Sequence, residues 1–167
     1  IQVRTGLSGC YTPARNFICN SGFWQMTECA TDLISMSVSN QYNANCDVSP
    51  SRPGIASTVW SNGYTGVMRC NEIIDVLTES ECFTEEQKLP WIAEAKVLRA
   101  LYYYYLTSTF GDVPFYTEAV TEHNRAKIAS LPRMSADETR DYIIDEMMEY
   151  LLPPSMGGMR ALPYQRT

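Results

Sequence analysis

The sequence contains one histidine, His123, and no Cys-x-x-Cys pair, although it has six cysteines among its 167 residues. Zinc sites and histidine-dependent catalytic triads need such residues in clusters, so we expect no metal, no cofactor and no triad. Lysine and arginine are also scarce, 13 against 19 acidic residues, and they form no cluster. Because a nucleic-acid-binding surface needs a concentrated positive patch, this composition argues against a nucleic-acid partner.

Long apolar runs are missing as well. The strongest uncharged apolar stretch, at 100–111, is about half as long as a transmembrane helix. The chain is nevertheless 45% apolar, which is too hydrophobic for a disordered protein, and its length suits one domain. The first residue is Ile1 rather than Met, and the last residues form no closing element. We therefore expect residues 1–167 to be a single partial domain, a fragment of a longer chain.

The six cysteines are irregularly spaced, and their spacing leaves two hypotheses open. They can be buried free thiols that pack as small apolar groups, which is the interpretation that we favour. In a secreted chain some of them can instead form disulfides, and the first candidates are then Cys10–Cys19 and Cys19–Cys29.

Apolar residues recur every three or four positions along several segments, as in amphipathic helices. The pattern predicts helices over 7–18, 23–36, 56–79, 89–109 and 135–152. Thr84 and Gln87 have the spacing of a capping box, but Pro90 would then lie deep in the helix, so we place the regular helix start near Pro90. No segment has the alternation of a strand. Two long helices joined by a short turn predict an all-α fold of tetratricopeptide-like antiparallel hairpins.

Several side chains on these helices are candidates for the core rather than for a site. The expected core residues are Trp60, Trp91, Leu98, Ile144 and the tyrosine run 102–105, since they belong to apolar or packed stretches. Consecutive residues of a helix turn by about 100°, so the four tyrosines cannot form one site. We also expect Arg99 to pair with a carboxylate and Asn71 to bond a backbone group.

Three segments together resemble the SusD/RagB family. The most specific one combines AEAKVLRA at 93–100, the tyrosines at 102–105 and FGDVPF at 110–115, and it is similar to the family pattern EA.fLRA..Y..L...fGdvP. The second has Trp60 and Tyr64 followed by NEII at 71–74, and the third runs from PRMS at 132–135 to Asp145. The stretch ECATD at 28–32 also fits the upstream E..tD pattern of the family. The resemblance covers about residues 24–150.

This resemblance implies an outer-membrane, cell-surface-exposed protein that is held by a lipid anchor outside this chain. Proteins of this kind capture nutrients, usually oligosaccharides and in some members peptides, and pass them to a SusC-like TonB-dependent transporter. They are not enzymes. The residues agree with this, because adjacent acids such as Glu85 and Glu86 at a helix start are typical of a surface that complements the helix dipole.

The ligand-binding candidates lie on the connector after the E..tD stretch. Asn40, Tyr42, Asn43 and Asn45 place an aromatic ring among amides on a loop, where recognition residues concentrate. Asp32 opens this region, and in the family it lies near the ligand contacts. Two alternatives stay open. The connector can be a plain Asn-rich surface loop, and the protein can be a tetratricopeptide-like scaffold that binds peptides or proteins in a helical groove.

Overall fold

The structure is a computed structural model that describes residues 2–20, 23–28, 31, 49–51 and 54–151. These residues are mostly helical, which confirms the all-α fold class. The elements in chain order are α1 (Gln2–Ala14), a π-helical segment (Arg15–Asn20), α2 (Phe23–Thr27), α3 (Gly54–Glu79), α4 (Glu85–Phe110), β1 (Val113–Pro114), α5 (Arg125–Ala129), β2 (Arg133–Met134) and α6 (Ala136–Leu151). None of the helices in these ranges combines the length and apolar character needed to cross a bilayer.

Helices α3 and α4 form the antiparallel hairpin that the sequence predicts. Gly66 of α3 faces the ring of Tyr102, whereas Asn71, further along α3, bonds Arg99, which comes earlier on α4. A Cβ atom on Gly66 would lie 2.3 Å from that ring, so glycine is required by the close approach of the two helices. In the middle of the hairpin, the backbone of α3 therefore packs directly on a ring of α4.

Helix α4 begins at Glu85, five residues before Pro90. The Thr84 side chain accepts a hydrogen bond from the Gln87 backbone N–H, and the Gln87 side chain accepts one from the Thr84 N–H. The expected start near Pro90 is therefore wrong. This capping box stabilises the first turn and offsets the single backbone hydrogen bond that the missing N–H of Pro90 removes.

Helix α1 packs on both members of the hairpin. Leu7 is buried in a cluster with Ile74 of α3 and Ala95 of α4. The Tyr102 hydroxyl accepts a hydrogen bond from the backbone N–H of Ala14 at 2.9 Å, so a buried ring of α4 also holds the end of α1. The helix predicted over 7–18 is confirmed, although it begins earlier. Of the helix predicted over 23–36, the described part ends at Thr27, and most of the remainder lies outside the described residues.

Helix α6 runs antiparallel to α4. Its Ser135 cap accepts a hydrogen bond from the Glu138 N–H at 3.2 Å, which confirms the predicted helix start. Ile143 is buried, but Ile144 is 49% exposed, so the expectation that Ile144 belongs to the core is wrong. Among the described elements α6 packs mainly against α4, and one neighbouring helix buries only a narrow stripe of the other.

The segment between α4 and α6 folds back onto the hairpin. Gly111 ends α4 with a φ of 70°, a conformation that favours glycine. Strands β1 and β2 then pair antiparallel, with Val113 opposite Met134. The Asp112 side chain accepts a hydrogen bond from the Ala136 N–H at 3.0 Å, so this corner also fixes the first turn of α6.

Candidate functional site

The five predicted ligand contacts lie outside the described residues and therefore stay a prediction; they are Asp32, Asn40, Tyr42, Asn43 and Asn45. The structure does describe the two points from which their connector departs. After α2 the Thr31 hydroxyl donates a hydrogen bond to the Glu28 carbonyl at 2.6 Å. At the other side α3 begins at Gly54, whose φ is 56°.

An aromatic cluster lies at the end of the hairpin where α3 begins. We define it as Trp60, Tyr64, Phe110 and Tyr116. The Trp60 ring lies 4.9 Å from the Tyr64 ring and 5.0 Å from the Phe110 ring, between ring centroids. The Tyr64 hydroxyl donates a 2.7 Å hydrogen bond to the Pro114 carbonyl. These contacts hold the first turns of α3 against the end of α4. The start of α3, to which the connector leads, is therefore fixed in place.

Trp60 itself is half-buried, packed against the core on one side. The Arg133 guanidinium lies 5.8 Å from the centroid of its ring, within the range of a cation–π contact. Burial raises the pKa of Tyr64 above its ordinary value, and the nearby Tyr116 raises it further. The hydroxyl of Tyr64 therefore remains protonated and keeps its hydrogen bond at neutral pH.

The four consecutive tyrosines of α4 differ in exposure. Tyr102 and Tyr103 are fully buried, and Tyr105 is half-buried, as a packing role requires. Tyr104 is 53% exposed, so the expectation that it packs in the core is wrong. Tyr104 therefore lies on a face of α4 that the described elements leave exposed to solvent.

A buried polar network joins α3, α4 and α6. Arg99 reaches both carboxylate oxygens of Glu146, at 2.6 and 2.8 Å, and donates to the Asn71 side chain at 2.7 Å. Asn71 in turn donates to the backbone carbonyl of Glu118 at 3.1 Å. Both expectations, a carboxylate partner for Arg99 and a backbone partner for Asn71, are confirmed. Because its members satisfy one another, this network stabilises the fold and does not present free groups to a ligand.

Lys96 extends the network toward the surface. Its ammonium lies 3.3 Å from a Glu146 oxygen and donates to the Tyr150 hydroxyl at 2.8 Å. Burial disfavours the charged form of Lys96, but the bond to Tyr150 and the charge of Glu146 outweigh burial and raise the pKa of Lys96. The amine is therefore a fixed cation rather than a proton acceptor.

A groove of about 370 Å³ lies between α1 and α4, and we call it the α1–α4 groove. It is lined by an exposed phenol, a carboxylate, a guanidinium, a hydroxyl and two apolar side chains, which are Tyr11, Glu94, Arg4, Ser8, Leu7 and Trp91. The Tyr11 hydroxyl donates a 2.7 Å hydrogen bond to Glu94. Partial burial and then Glu94 raise the pKa of Tyr11 to about 12. An aromatic surface beside fixed polar groups is the chemistry that binds a polar ring such as a sugar.

This groove could not be recognised from the sequence. Tyr11 and Glu94 are 83 positions apart, and neither belongs to a motif that indicates their contact. One signal was present, since Arg4, Leu7, Ser8 and Tyr11 recur at helical spacing and share a face of α1. That face alone did not reveal which residues of α4 complete the groove.

Comparison with known proteins gives a family match over most of the chain. Residues 9–156 match a SusD-like family described as starch-binding and associating with the outer membrane. The SusD-like protein P25 of Formosa agariphila is 35% identical over 75 residues, which are 45% of this chain and 14% of that protein.

Solved structures share the fold. A laminarin-binding SusD-like protein matches with a TM-score of 0.72 at 24% identity, over 91% of this chain and 34% of its own. A SusD superfamily protein from Parabacteroides distasonis matches with a TM-score of 0.68 at 25% identity, over 88% and 32%. Surface glycan-binding protein A from Bacteroides thetaiotaomicron, solved with laminarihexaose, has a TM-score of 0.67 at 19% identity, over 88% and 32%. The chain thus spans about a third of the length of these structures.

Proposed function

Because this chain belongs to the SusD-like family, we propose that it captures oligosaccharides by binding alone and passes them to a SusC-like TonB-dependent transporter. The observation that supports the proposal most is the family match over residues 9–156, which covers the helical hairpin and the connector. One structural relative is named as laminarin-binding, and another, a surface glycan-binding protein, was solved in complex with laminarihexaose. A β-glucan oligosaccharide is therefore the first ligand to test.

We assign the main ligand contacts to the connector. Tyr42 supplies a flat ring for the apolar face of a sugar, while Asn40, Asn43 and Asn45 supply amides that bond its hydroxyls. Asp32 supplies a carboxylate at the start of the same connector. The fixed base that the aromatic cluster gives to α3 supports this assignment, because recognition loops work from a rigid scaffold.

The α1–α4 groove is a second, weaker contact surface in this proposal. Tyr11 and Glu94 already form a fixed ring-and-carboxylate pair that a sugar can meet without much reordering. Several weak contacts suit transfer to a transporter, because the protein must release its ligand as well as hold it.

The experiment is calorimetric titration of the full chain with laminarihexaose and with a starch-derived oligosaccharide of similar length. Tyr42→Ala is expected to weaken binding about tenfold, equivalent to about 1.4 kcal/mol, because it removes the stacking ring. Tyr42→Phe keeps the ring and is the matched control, with binding close to that of the unaltered chain.

Three outcomes would contradict parts of the proposal. Unchanged binding in Tyr42→Ala across the panel would reject the connector as the site. Tight capture of peptides with no sugar binding would favour the tetratricopeptide-like scaffold. Release of reducing ends from a glycan would show catalysis rather than binding alone.

Attachment to the outer membrane through a lipid belongs to the same proposal. The family is described as associating with the outer membrane, which supports this location. In cells that produce the protein, we expect protease added outside to digest it, and we expect it to copurify with a TonB-dependent transporter. Protection from the protease in intact cells would reject exposure at the cell surface.

A further inference from the structure

Two cysteines that are 60 positions apart meet between α1 and α3. Cys10 and Cys70 are both fully buried, and both are free thiols in this structure. Both belong to the same cluster of buried residues, and the Cys10 thiol donates a hydrogen bond to the Gly6 carbonyl at 3.5 Å. Neither cysteine is part of a metal cluster among the described residues, and the glycan site does not use them.

Helices α1 and α3 pack closely beside the two cysteines. A Cβ atom on Gly6 would lie 2.7 Å from the side chain of Ile73, and Arg69 reaches across to the Gly9 carbonyl at 2.8 Å. A disulfide requires the two Cα atoms to lie within roughly 7 Å, a distance that only closely packed helices provide. Gly9 and Arg69 directly precede Cys10 and Cys70 in the chain, so their contact brings the two cysteines near each other, as a bridge requires.

We propose that Cys10 and Cys70 are an oxidisable pair that forms an intramolecular disulfide fastening α1 to α3 when the protein meets a small-molecule disulfide such as oxidised glutathione. Cys10, as thiolate, attacks one glutathione sulfur and releases the first glutathione. Cys70 then attacks the Cys10 sulfur of this mixed disulfide and releases the second. One S–S bond forms and one breaks, the protein loses two electrons and two protons, and two glutathione thiols carry them away.

The order of attack follows from the environment of each sulfur. The hydrogen bond from Cys70, with help from Arg69, holds the pKa of Cys10 below its ordinary value despite burial. The same hydrogen bond, together with burial, raises the pKa of Cys70. Cys10 therefore loses its proton more readily than Cys70, which favours it as the nucleophile, since the thiolate and not the thiol attacks a disulfide.

Because both sulfur atoms are buried, the reaction can take place only when they become accessible. Glutathione cannot reach either sulfur while α1 is docked, so the bond forms during folding or when α1 lifts from the hairpin. Cys82 is exposed and is expected to react with glutathione first. The bridge would close a loop of about 60 residues, and loops of that size give substantial stabilisation of the folded state.

The test uses the full chain with Cys19, Cys29, Cys46 and Cys82 replaced by serine, so that only the pair remains. After unfolding and refolding with oxidised glutathione, we expect the intact mass to fall by two hydrogen atoms and a non-reducing peptide map to join the two segments. We expect the melting temperature to exceed that of the reduced form by about 10 °C. Dithiothreitol should reverse both changes.

Two matched variants test whether the pair itself forms the bridge. In the same background, Cys10→Ala and Cys70→Ala should each abolish the mass change, while circular dichroism checks that both variants fold. In the chain that retains all six cysteines, the peptide map should still join Cys10 to Cys70. Free thiols at both positions after refolding in oxidised glutathione, or a bridge from Cys10 to Cys19, would overturn the proposal.

Discussion

Arg99 and Glu146 form a buried ion pair that joins α4 to α6. One terminal nitrogen of the guanidinium reaches both carboxylate oxygens, at 2.6 and 2.8 Å, and the two side chains are only 4% and 10% exposed. The other terminal nitrogen bonds Asn71 of α3 and the Thr117 carbonyl. The central arginine of the EAKVLRA motif thus connects three helices and the segment between α4 and α6.

Removal of the carboxylate should destabilise the protein strongly. Glu146→Ala leaves Arg99 charged, buried and without its main partner, and losses of about 3–5 kcal/mol in the free energy of unfolding are typical of such changes. Glu146→Gln keeps an oxygen acceptor and should lose less. Urea denaturation measures both variants.

The exposed pair Lys127–Glu118 is the control for this prediction. Its side chains are 66% and 58% exposed, so water already solvates both charges. Glu118→Ala should therefore cost less than about 1 kcal/mol. Equal losses in Glu146→Ala and Glu118→Ala would show that burial of the Arg99 pair contributes nothing.

The helices could be predicted from the sequence because their determinants are local. Helical periodicity, the Ser135 cap and Gly111 act within a few residues of their own position, so each can be recognised without knowing the rest of the chain. The partner of Arg99 could be expected but not identified. Glu146 lies 47 positions away, and only the packing of α6 on α4 selects it from the other acids.

The two residues that were wrongly expected in the core are exposed for the same physical reason. Ile144 and Tyr104 have the composition of core positions, but burial depends on how many neighbours a helix has. In the described residues, each lies on a helix face that no other element covers. For the site the same limit applies to Tyr11 and Glu94, which α1 and α4 bring together, while the connector at 32–45 stays a prediction.

Of the glycines whose surroundings the structure describes, Gly66 is expected to be the least tolerant of substitution. In Gly66→Ala the new Cβ would lie 2.3 Å from the buried ring of Tyr102, which cannot move without disturbing α1. Overpacking of this kind costs about 1–3 kcal/mol, more than the helix propensity of alanine returns. Thermal unfolding followed by circular dichroism should show a lower melting temperature.

Gly9→Ala provides the matched comparison on α1. Nothing lies within 4 Å of the Cβ that alanine would add at Gly9, so only the better helix propensity acts. We expect Gly9→Ala to be neutral or to stabilise the protein by up to about 1 kcal/mol. If both alanine variants behaved alike, close packing of α3 on α4 would not be the reason for Gly66.

Thr84 is expected to contribute measurably to the start of α4. Thr84→Ala removes the side-chain acceptor for the Gln87 N–H and should cost about 1 kcal/mol in the free energy of unfolding. Thr84→Ser retains the acceptor and should be nearly neutral. A neutral Thr84→Ala variant would instead favour a helix that begins near Pro90.

Partial burial of Tyr11, together with its contact with Glu94, should make stability depend on pH in the alkaline range. The pKa of Tyr11 is about 12 in the folded protein, above the value near 10 of a tyrosine in an unfolded chain. The folded state thus holds this proton more tightly, so the contribution of Tyr11 is complete below pH 10 and is lost as the pH rises through 12. Tyr11→Phe should flatten this part of the stability profile.

Carbon NMR of the tyrosine Cζ atoms can follow the ionisation of Tyr11 directly, with Tyr11→Phe to assign its signal. Glu94→Gln keeps a side chain of the same size and removes the charge, so the pKa of Tyr11 should fall toward its ordinary value while partial burial still keeps it raised. An unchanged pKa in Glu94→Gln would mean that burial alone protects the hydroxyl. In that case Tyr11 and Glu94 do not act as one unit. The proposal that the α1–α4 groove is a second contact surface for sugars would then be rejected.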